Sequence, residues 1–252
     1  MFKLKSIKTQ LILFLMIFAL YLFIKDNDFS FLSATLVAVV GALIVESMII
    51  YFKTKKFTVT ESSIITGFIV GYVLSADEAW WVFAVSSAVA IGSKYLIRFR
   101  KKHIFNPSAF GILSVIMLFG VSTQWKGTYA WYALIPWGLY AAYRIRKLEI
   151  LTGYAAVALI LFGFQAFLQG GGLWHIFGYF SYFLISIMII EPKTAPITPA
   201  GKYLFGAGIS ALIFIFTELG TSYDVELMSL LIMNAAILLF GRKHILKKEV
   251  VQ

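Results

Sequence analysis

Ten apolar stretches follow one another along this chain, and only short polar segments separate them. A backbone in hydrocarbon must satisfy its own N–H and C=O groups, so such stretches are predicted to be membrane-spanning helices. Strands are not indicated, because no stretch shows the ten-residue alternation of apolar and polar positions that membrane barrels need. The predicted spans are 9–24, 31–52, 62–76, 79–97, 108–121, 129–143, 151–168, 174–190, 201–217 and 226–241.

The composition excludes several classes of protein. Of the 252 residues, 60% are hydrophobic and 13% are charged, whereas a soluble domain carries about 25% charged residues. The absence of cysteine excludes disulfides and cysteine-ligated iron–sulfur clusters. The histidines lack the helical pairing of haem ligands, so no haem is predicted. We predict an all-α polytopic membrane protein, with a single transmembrane domain over residues 1–252.

The placement of the basic residues predicts the orientation. When the N-terminus is placed in the cytoplasm and the spans alternate, every Lys and Arg except Lys25 and Lys126 falls on the cytoplasmic side. This is the distribution that the positive-inside rule requires. It predicts a multi-pass protein of the cell membrane with both termini cytoplasmic. It also accounts for the net charge of +10 without a nucleic-acid partner, and leaves the lipid bilayer as the expected surroundings.

Two spans are short for a hydrocarbon core of about 30 Å. The third span begins with polar residues that include Thr66 and Gly67, and the fifth begins at Asn106-Pro107. Short or interrupted helices often mark a binding site, although tilting offers an alternative explanation. The ninth span starts in a similar way, with Thr198 as a predicted N-cap before proline. Such helix starts favour anionic or electron-rich groups.

Short matching segments suggest an internal repeat. The sequence ITG at 65–67 has a counterpart, LTG, at 151–153, which is 86 residues later, and Asn-Pro at 106–107 has one in Glu-Pro at 191–192. The hypothesis is that units at about 58–121 and 147–217 face one central cavity.

Two longer segments resemble the signatures of one membrane family. Residues 94–107 (KYLIRFRKKHIFNP) resemble its Lys…Phe-Asn-Pro segment, and residues 191–201 (EPKTAPITPAG) resemble its Asp-Pro-x-Thr-Ser-Pro-x-Thr-x-x-Gly segment. Its members include one membrane component of the Na⁺-pumping NADH:quinone oxidoreductase and one of the Rnf electron-transport complex. The resemblance implies a urea-transporter-like fold, flavin association, electron transfer through the membrane and coupling to ion movement.

The resemblance also implies which residues form the site. Matched to the motifs, the residues beside a flavin or quinone are Asn106, Pro107, Glu191, Pro192 and Thr194, with Thr66 and Gly67 lining the same cavity. Lys94 and Thr198 complete the predicted cofactor-binding set, Lys94 as a balancing charge or as an ordinary lysine that flanks the membrane.

The chain also departs from the family's pattern. Its covalent flavin site is a threonine in a Ser-Gly-Ala-Thr motif, which this sequence does not contain. A flavin is therefore expected to be FMN or riboflavin held without a covalent bond. Glu191 stands where the family has aspartate, so the charge is kept but moved by one methylene group.

Two functional hypotheses follow. In the first, the protein is the membrane subunit of an electron-transport system, a component of a flavin-dependent oxidoreductase, with redox proteins or quinone as partners. In the second, it is a small-solute transporter or channel that uses the same polar site without redox chemistry.

Two further carboxylates have open assignments. Glu46 lies inside the second span, where a carboxylate is costly and often serves as a cation site or proton relay. Alternatively, it is protonated against Ser47 or reaches towards the interface. Glu61 follows Thr58 by three residues, which predicts a capping box for the third span.

Overall fold

The computed structural model describes residues 6–99, 102–170, 173–191 and 194–249. Within them the structure is mostly helical. The helices are α1 (Ile7–Asp26), α2 (Phe29–Thr54), α3 (Glu61–Val73), α4 (Trp80–Leu96), α5 (Pro107–Phe119), α6 (Trp131–Arg144), α7 (Leu148–Leu168), α8 (Pro199–Glu218) and α9 (Val225–Glu249). Two short strands, β1 (Arg98–Phe99) and β2 (Lys102–His103), form an antiparallel hairpin. By length and composition α1, α2, α7 and α8 can each cross a membrane.

The chain divides into two compact units. Unit 1 comprises Met1–His103 and Pro107–Tyr129, and unit 2 comprises Ile104–Asn106 and Ala130–Gln252. The division places Asn106 in unit 2, although the next residue begins α5 of unit 1.

In unit 1 small residues allow helices to approach at backbone distance. A side chain at Gly67 of α3 would collide with the backbone of Val39 on α2, and one at Gly71 would collide with Thr35. Buried hydroxyls then join the helices: Tyr72 donates to the Leu15 carbonyl of α1 at 2.8 Å, and Ser87 donates to Ala38 at 2.9 Å. Bonds of this kind satisfy the polar atoms that the packing removes from solvent.

The two basic residues that break the predicted charge distribution are both engaged in unit 1. Lys126 lies 3.1 Å from Asp26 and 2.7 Å from Asp28, and Lys25 lies over the ring of Tyr129. Burial lowers the pKa of Lys126, but the two carboxylates outweigh burial and the net shift is upward. The loop before α6 is thereby fixed to the α1–α2 turn by charge.

In unit 2 α7 and α8 cross at two reciprocal glycine contacts. A side chain at Gly153 would meet the carbonyl of Tyr203, and one at Gly206 would meet the carbonyl of Ile150. The crossing is therefore set by backbone contact, the arrangement that small residues permit between membrane helices.

The predicted spans agree with the observed helices at nine positions. The eighth, predicted as a helix over 174–190, differs: a 3₁₀ segment (Leu173–Tyr179) ends before Phe180, and a π turn (Leu184–Met188) follows. Hydropathy identified an apolar segment here but carries no information on how its hydrogen bonds are arranged. The predicted shortness of two spans is confirmed, since α3 and α5 have 13 residues each, about 20 Å at 1.5 Å per residue.

Replacing Gly206 by alanine is expected to destabilise unit 2. The added methyl group would be forced against the Ile150 carbonyl, and overpacking of this kind costs about 1–3 kcal/mol. Thermal unfolding in one detergent measures the effect. The matched control is Gly92→Ala in α4, which meets nothing within 4 Å and should be neutral or stabilising by up to about 1 kcal/mol. Equal stability of the two variants would contradict the packing account.

Candidate functional site

The two signature segments meet in unit 2. The side-chain amide of Asn106 donates to Oε2 of Glu191 at 2.8 Å, and it lies 3.5 Å from the Met188 carbonyl. Asn106 is only 1% exposed. Residues 85 positions apart in the sequence thus form one polar cluster, and its role as a cofactor site stays a prediction.

Asn234 of α9 ties the cluster together. Its Oδ1 accepts the backbone N–H of Asn106 at 2.8 Å, and its Nδ2 donates to the Thr194 carbonyl at 3.2 Å. No sequence motif predicted this residue as part of the site. The sequence feature that could have indicated it is an asparagine inside an apolar span. The side-chain amide of an asparagine in a membrane helix needs hydrogen-bond partners on other segments.

Two hydrogen bonds hold the proline-rich loop that precedes α8, one from a residue before α7 and one at the start of α8. Lys147, just before α7, donates to the Pro196 carbonyl at 2.6 Å, and Thr198 accepts from the Gly201 N–H at 3.1 Å. The second bond confirms the predicted N-cap, with proline at the first helical position. Burial lowers the pKa of Lys147 to about 8, and the nearby ammonium of Lys202 adds to the shift.

This geometry gives unit 2 an organised polar region among apolar helices. The side chains of Asn234 and Lys147 satisfy two carbonyls of the loop, those of Thr194 and Pro196. The side-chain amides of Asn106 and Asn234 donate to Glu191 and to the Thr194 carbonyl, and Glu191 is half-exposed beside them. Such an arrangement can orient a polar ring or head group by hydrogen bonds.

A second polar cluster lies in unit 1 around Glu46 and Lys94, which are each 5% exposed. The Lys94 ammonium lies 3.7 Å from Oε2 of Glu46 and donates to the Ser62 hydroxyl at 3.0 Å. Glu46 also accepts from Thr60 at 2.6 Å and from the Tyr95 hydroxyl at 3.1 Å. The two buried charges therefore neutralise each other, and hydroxyl groups supplement the pair.

The structure shows hydrogen-bond partners near both of the carboxylates that the sequence left open. The Ser47 hydroxyl donates to the Thr58 carbonyl at 3.3 Å, and the role of Glu46 as a cation site or proton relay stays a prediction. The predicted capping box of Thr58 and Glu61 is wrong: Thr60 caps α3 by accepting from the Ser63 N–H at 3.2 Å, and Glu61 accepts from the hydroxyl of Thr9. The polar run at 58–63 offers several capping oxygens, and only the backbone path selects one.

Other predicted site residues lie in unit 1. Thr66 is buried and donates to the Ser62 carbonyl at 2.8 Å, and its own carbonyl is 3.5 Å from the Ser108 hydroxyl. Gly67 packs on α2, and Pro107 is the first residue of α5. Their place in a cavity shared with the unit 2 residues stays a prediction, as do the repeat units at 58–121 and 147–217. Pro192 lies outside the described residues.

No metal centre is found in the described part of the chain, where no group of three or more His, Asp and Glu side chains could hold an ion. The chemistry available to both clusters is hydrogen bonding and charge pairing.

The chain matches the model of the NQR2, RnfD, RnfE family over residues 2–135 and again over residues 132–248. It belongs to this family. Its members are membrane subunits of electron-transport complexes, so other subunits are expected beside this chain. No curated protein matches the sequence. Family membership confirms the resemblance drawn from residues 94–107 and 191–201, together with the all-α polytopic fold.

Replacing Glu46 by glutamine is expected to destabilise the protein by about 3–5 kcal/mol, because it leaves the Lys94 ammonium buried without a carboxylate. The double variant Glu46→Gln/Lys94→Met should recover most of this loss. Unfolding in detergent measures both. The matched control is Glu218→Gln, which removes an exposed carboxylate. A single variant as stable as this control would show that the pair is not energetically coupled.

Replacing Asn234 by leucine is expected to loosen the signature region. The change removes the acceptor of the Asn106 N–H and the donor to Thr194, and each unsatisfied buried group costs about 1–3 kcal/mol. Hydrogen exchange of a peptide covering residues 102–110 should become faster. Ser229→Ala serves as control, since that hydroxyl bonds only within α9. Unchanged exchange in the leucine variant would contradict the bridging role.

Proposed function

We propose that this protein relays electrons through a flavin or quinone held without a covalent bond in the membrane. The observation that carries the proposal is the Asn106–Glu191 hydrogen bond. It brings together the two segments that resemble the family's signatures. Coupling of this electron transfer to ion movement is part of the same proposal, because the family resemblance implies it.

The donors available in unit 2 suit a ring that carries carbonyl groups. In its described residues, the hydroxyls of Tyr154 and Ser210 are buried without a hydrogen-bond partner. Orphaned donors of this kind are destabilising until a ligand or water satisfies them. The side-chain amides of Asn106 and Asn234 lie in the same unit and are held in position by their bonds to Glu191 and to the Thr194 carbonyl. These donors are the support that unit 2 offers for a flavin or quinone ligand.

The cofactor, when bound, supplies the redox chemistry itself. The chain supplies orientation, exclusion of water and charge. Asn106 and Thr194 are assigned to hold the ring by hydrogen bonds, and the apolar helices around them exclude water. Glu191 places a negative charge beside Asn106, which disfavours the accumulation of a second negative charge there.

Lys94 takes a narrower role in this proposal than the sequence suggested. Its charge is already compensated by Glu46 in unit 1. We therefore leave Lys94 out of the proposed flavin contacts and treat the Glu46–Lys94 pair as a separate candidate for ion or proton movement.

The visible spectrum of detergent-purified protein tests the proposal. A bound flavin gives an absorption band near about 450 nm, and acid precipitation should release all of it, because no covalent motif is present. Asn106→Ala is expected to lower the bound flavin about tenfold, which corresponds to one lost hydrogen bond. Thr152→Ala is the control, since its hydroxyl bonds only within α7.

Several outcomes would contradict the proposal. The protein could lack flavin and bind neither FMN, riboflavin nor a short-chain quinone after reconstitution. Flavin that stays with the precipitated protein would overturn the non-covalent assignment, and an unchanged Asn106→Ala variant would overturn the site.

The second candidate, a small-solute transporter, is favoured by one observation. The eighth span is broken into a 3₁₀ segment and a π turn, and α3 and α5 are too short to cross a membrane core alone. Urea uptake by proteoliposomes without any electron donor would support this function. If uptake were unaffected by Asn106→Ala and Glu191→Ala, the proposed polar site would not be its route.

A further inference from the structure

A group of exposed basic residues gathers where α2 and α4 of unit 1 end. Lys53 is in the last turn of α2, Lys55 and Lys56 follow the helix, and Arg98 and Lys102 lie on the β1–β2 hairpin that follows α4. All five side chains are exposed. We call these five residues the basic patch.

Tyr95 brings two of these charges together. The Lys53 ammonium lies 4.4 Å from the centroid of its ring, and the Arg98 guanidinium carbon lies 5.3 Å from the same centroid. The two cations therefore cannot be more than about 10 Å apart, the sum of these two distances. Arg98 is fixed further by its Nε, which donates to the Lys94 carbonyl at 2.6 Å. Cation–π contacts of this kind hold flexible side chains in place.

The carboxylates that flank Lys53, Lys55 and Lys56 in the sequence are Glu46 and Glu61, and Glu61 accepts from the hydroxyl of Thr9. The sequence contains no Asp or Glu between Glu78 and Glu149. Glu46, the carboxylate of α2, is buried against Lys94 and Tyr95. Within the described residues, none of the five basic side chains forms an ion pair with an acidic side chain. Repulsion among these cations is thus uncompensated by the chain itself, and it favours an external anion.

Exposed apolar side chains flank the same charges. Phe52 is 74% exposed, Phe57 is 77% exposed and Leu96 is 84% exposed. Apolar area of this size beside a cationic group matches an amphiphile, with an anionic head group over the cations and acyl chains along the apolar residues. A free phosphate would leave these residues without a partner, and a soluble acidic protein would have to reach into the bilayer edge to cover them.

From this arrangement we propose that the basic patch binds the phosphate of an anionic phospholipid, seated between Lys53 and Arg98. The inference goes beyond electron transfer, because it concerns the lipid that surrounds the protein. It also goes beyond orientation by positive charge, which requires basic residues near the membrane but not their convergence on one ring. Clusters of Lys and Arg at the ends of membrane helices attract anionic lipid by this mechanism.

Lipid titration of the full chain tests the proposal. Detergent-solubilised protein is titrated with phosphatidylglycerol and, separately, with phosphatidylcholine, and bound lipid is counted by native mass spectrometry. The unmodified protein should prefer phosphatidylglycerol. The double variant Lys53→Gln/Arg98→Gln should lose about 30-fold in affinity for it, as expected for two cations at a membrane surface. Arg144→Gln/Arg146→Gln removes the same charge from exposed positions of unit 2 and should keep the preference.

Four results would contradict the lipid proposal, and each points to a different explanation. Equal binding of the two lipids, or an equal loss in the control variant, would overturn the proposal. Displacement of the lipid by millimolar inorganic phosphate would show a free-anion site instead. If the double variant kept its lipid preference but failed to assemble with partner subunits, the patch would be a protein interface. Flavin content should be unaffected in the double variant, so failure here is separable from failure of the proposed function.

Discussion

A polypeptide in hydrocarbon has no water to complete its backbone hydrogen bonds, and the described structure depends on how this requirement is met. Over most of the chain helices meet it internally. Where a helix stops inside unit 2, side chains replace the missing backbone partners. Asn234 accepts from Asn106 and donates to Thr194, and Lys147 donates to Pro196. The polar cluster around the family signatures therefore also satisfies backbone groups that no helix pairs. This explains why Asn234, which bonds two such groups, belongs to it.

The same scarcity of water governs the charges. Inside unit 1 Glu46 and Lys94 are paired, and Thr60, Tyr95 and Ser62 supply the additional hydrogen bonds that a buried pair needs. At the ends of α2 and α4 the situation is reversed, because the cations there are exposed and form no ion pair with an acidic side chain of the described residues. Tyr95 belongs to both environments: its hydroxyl donates to Glu46, and its ring faces Lys53 and Arg98.

Close helix contacts determine how these groups are positioned. Gly67 and Gly71 allow α3 to lie on α2, and Gly153 and Gly206 allow α7 to cross α8. Membrane helices gain little from burying apolar area against one another, because lipid is equally apolar. Backbone proximity and the few interhelical hydrogen bonds therefore carry much of the specificity. The chain belongs to a family of membrane subunits of electron-transport complexes. In this chain the Asn106–Glu191 hydrogen bond joins the two segments that resemble the family's signatures.

The sequence by itself determined the class of protein, the number of apolar segments, the shortness of α3 and α5, the N-cap at Thr198 and the family. These properties follow from local composition, helix periodicity and short motifs, which a linear chain displays directly. Tertiary structure alone decided the partners of Glu46, the capping role of Thr60 instead of Thr58, the break in the eighth span and the bridge through Asn234. The partners of Glu46 and the bridge through Asn234 depend on which distant groups the folded backbone brings within hydrogen-bond distance, and no local pattern encodes such distances. The cap at Thr60 and the break in the eighth span involve near neighbours in the chain, but they depend on the backbone path, which hydropathy does not specify.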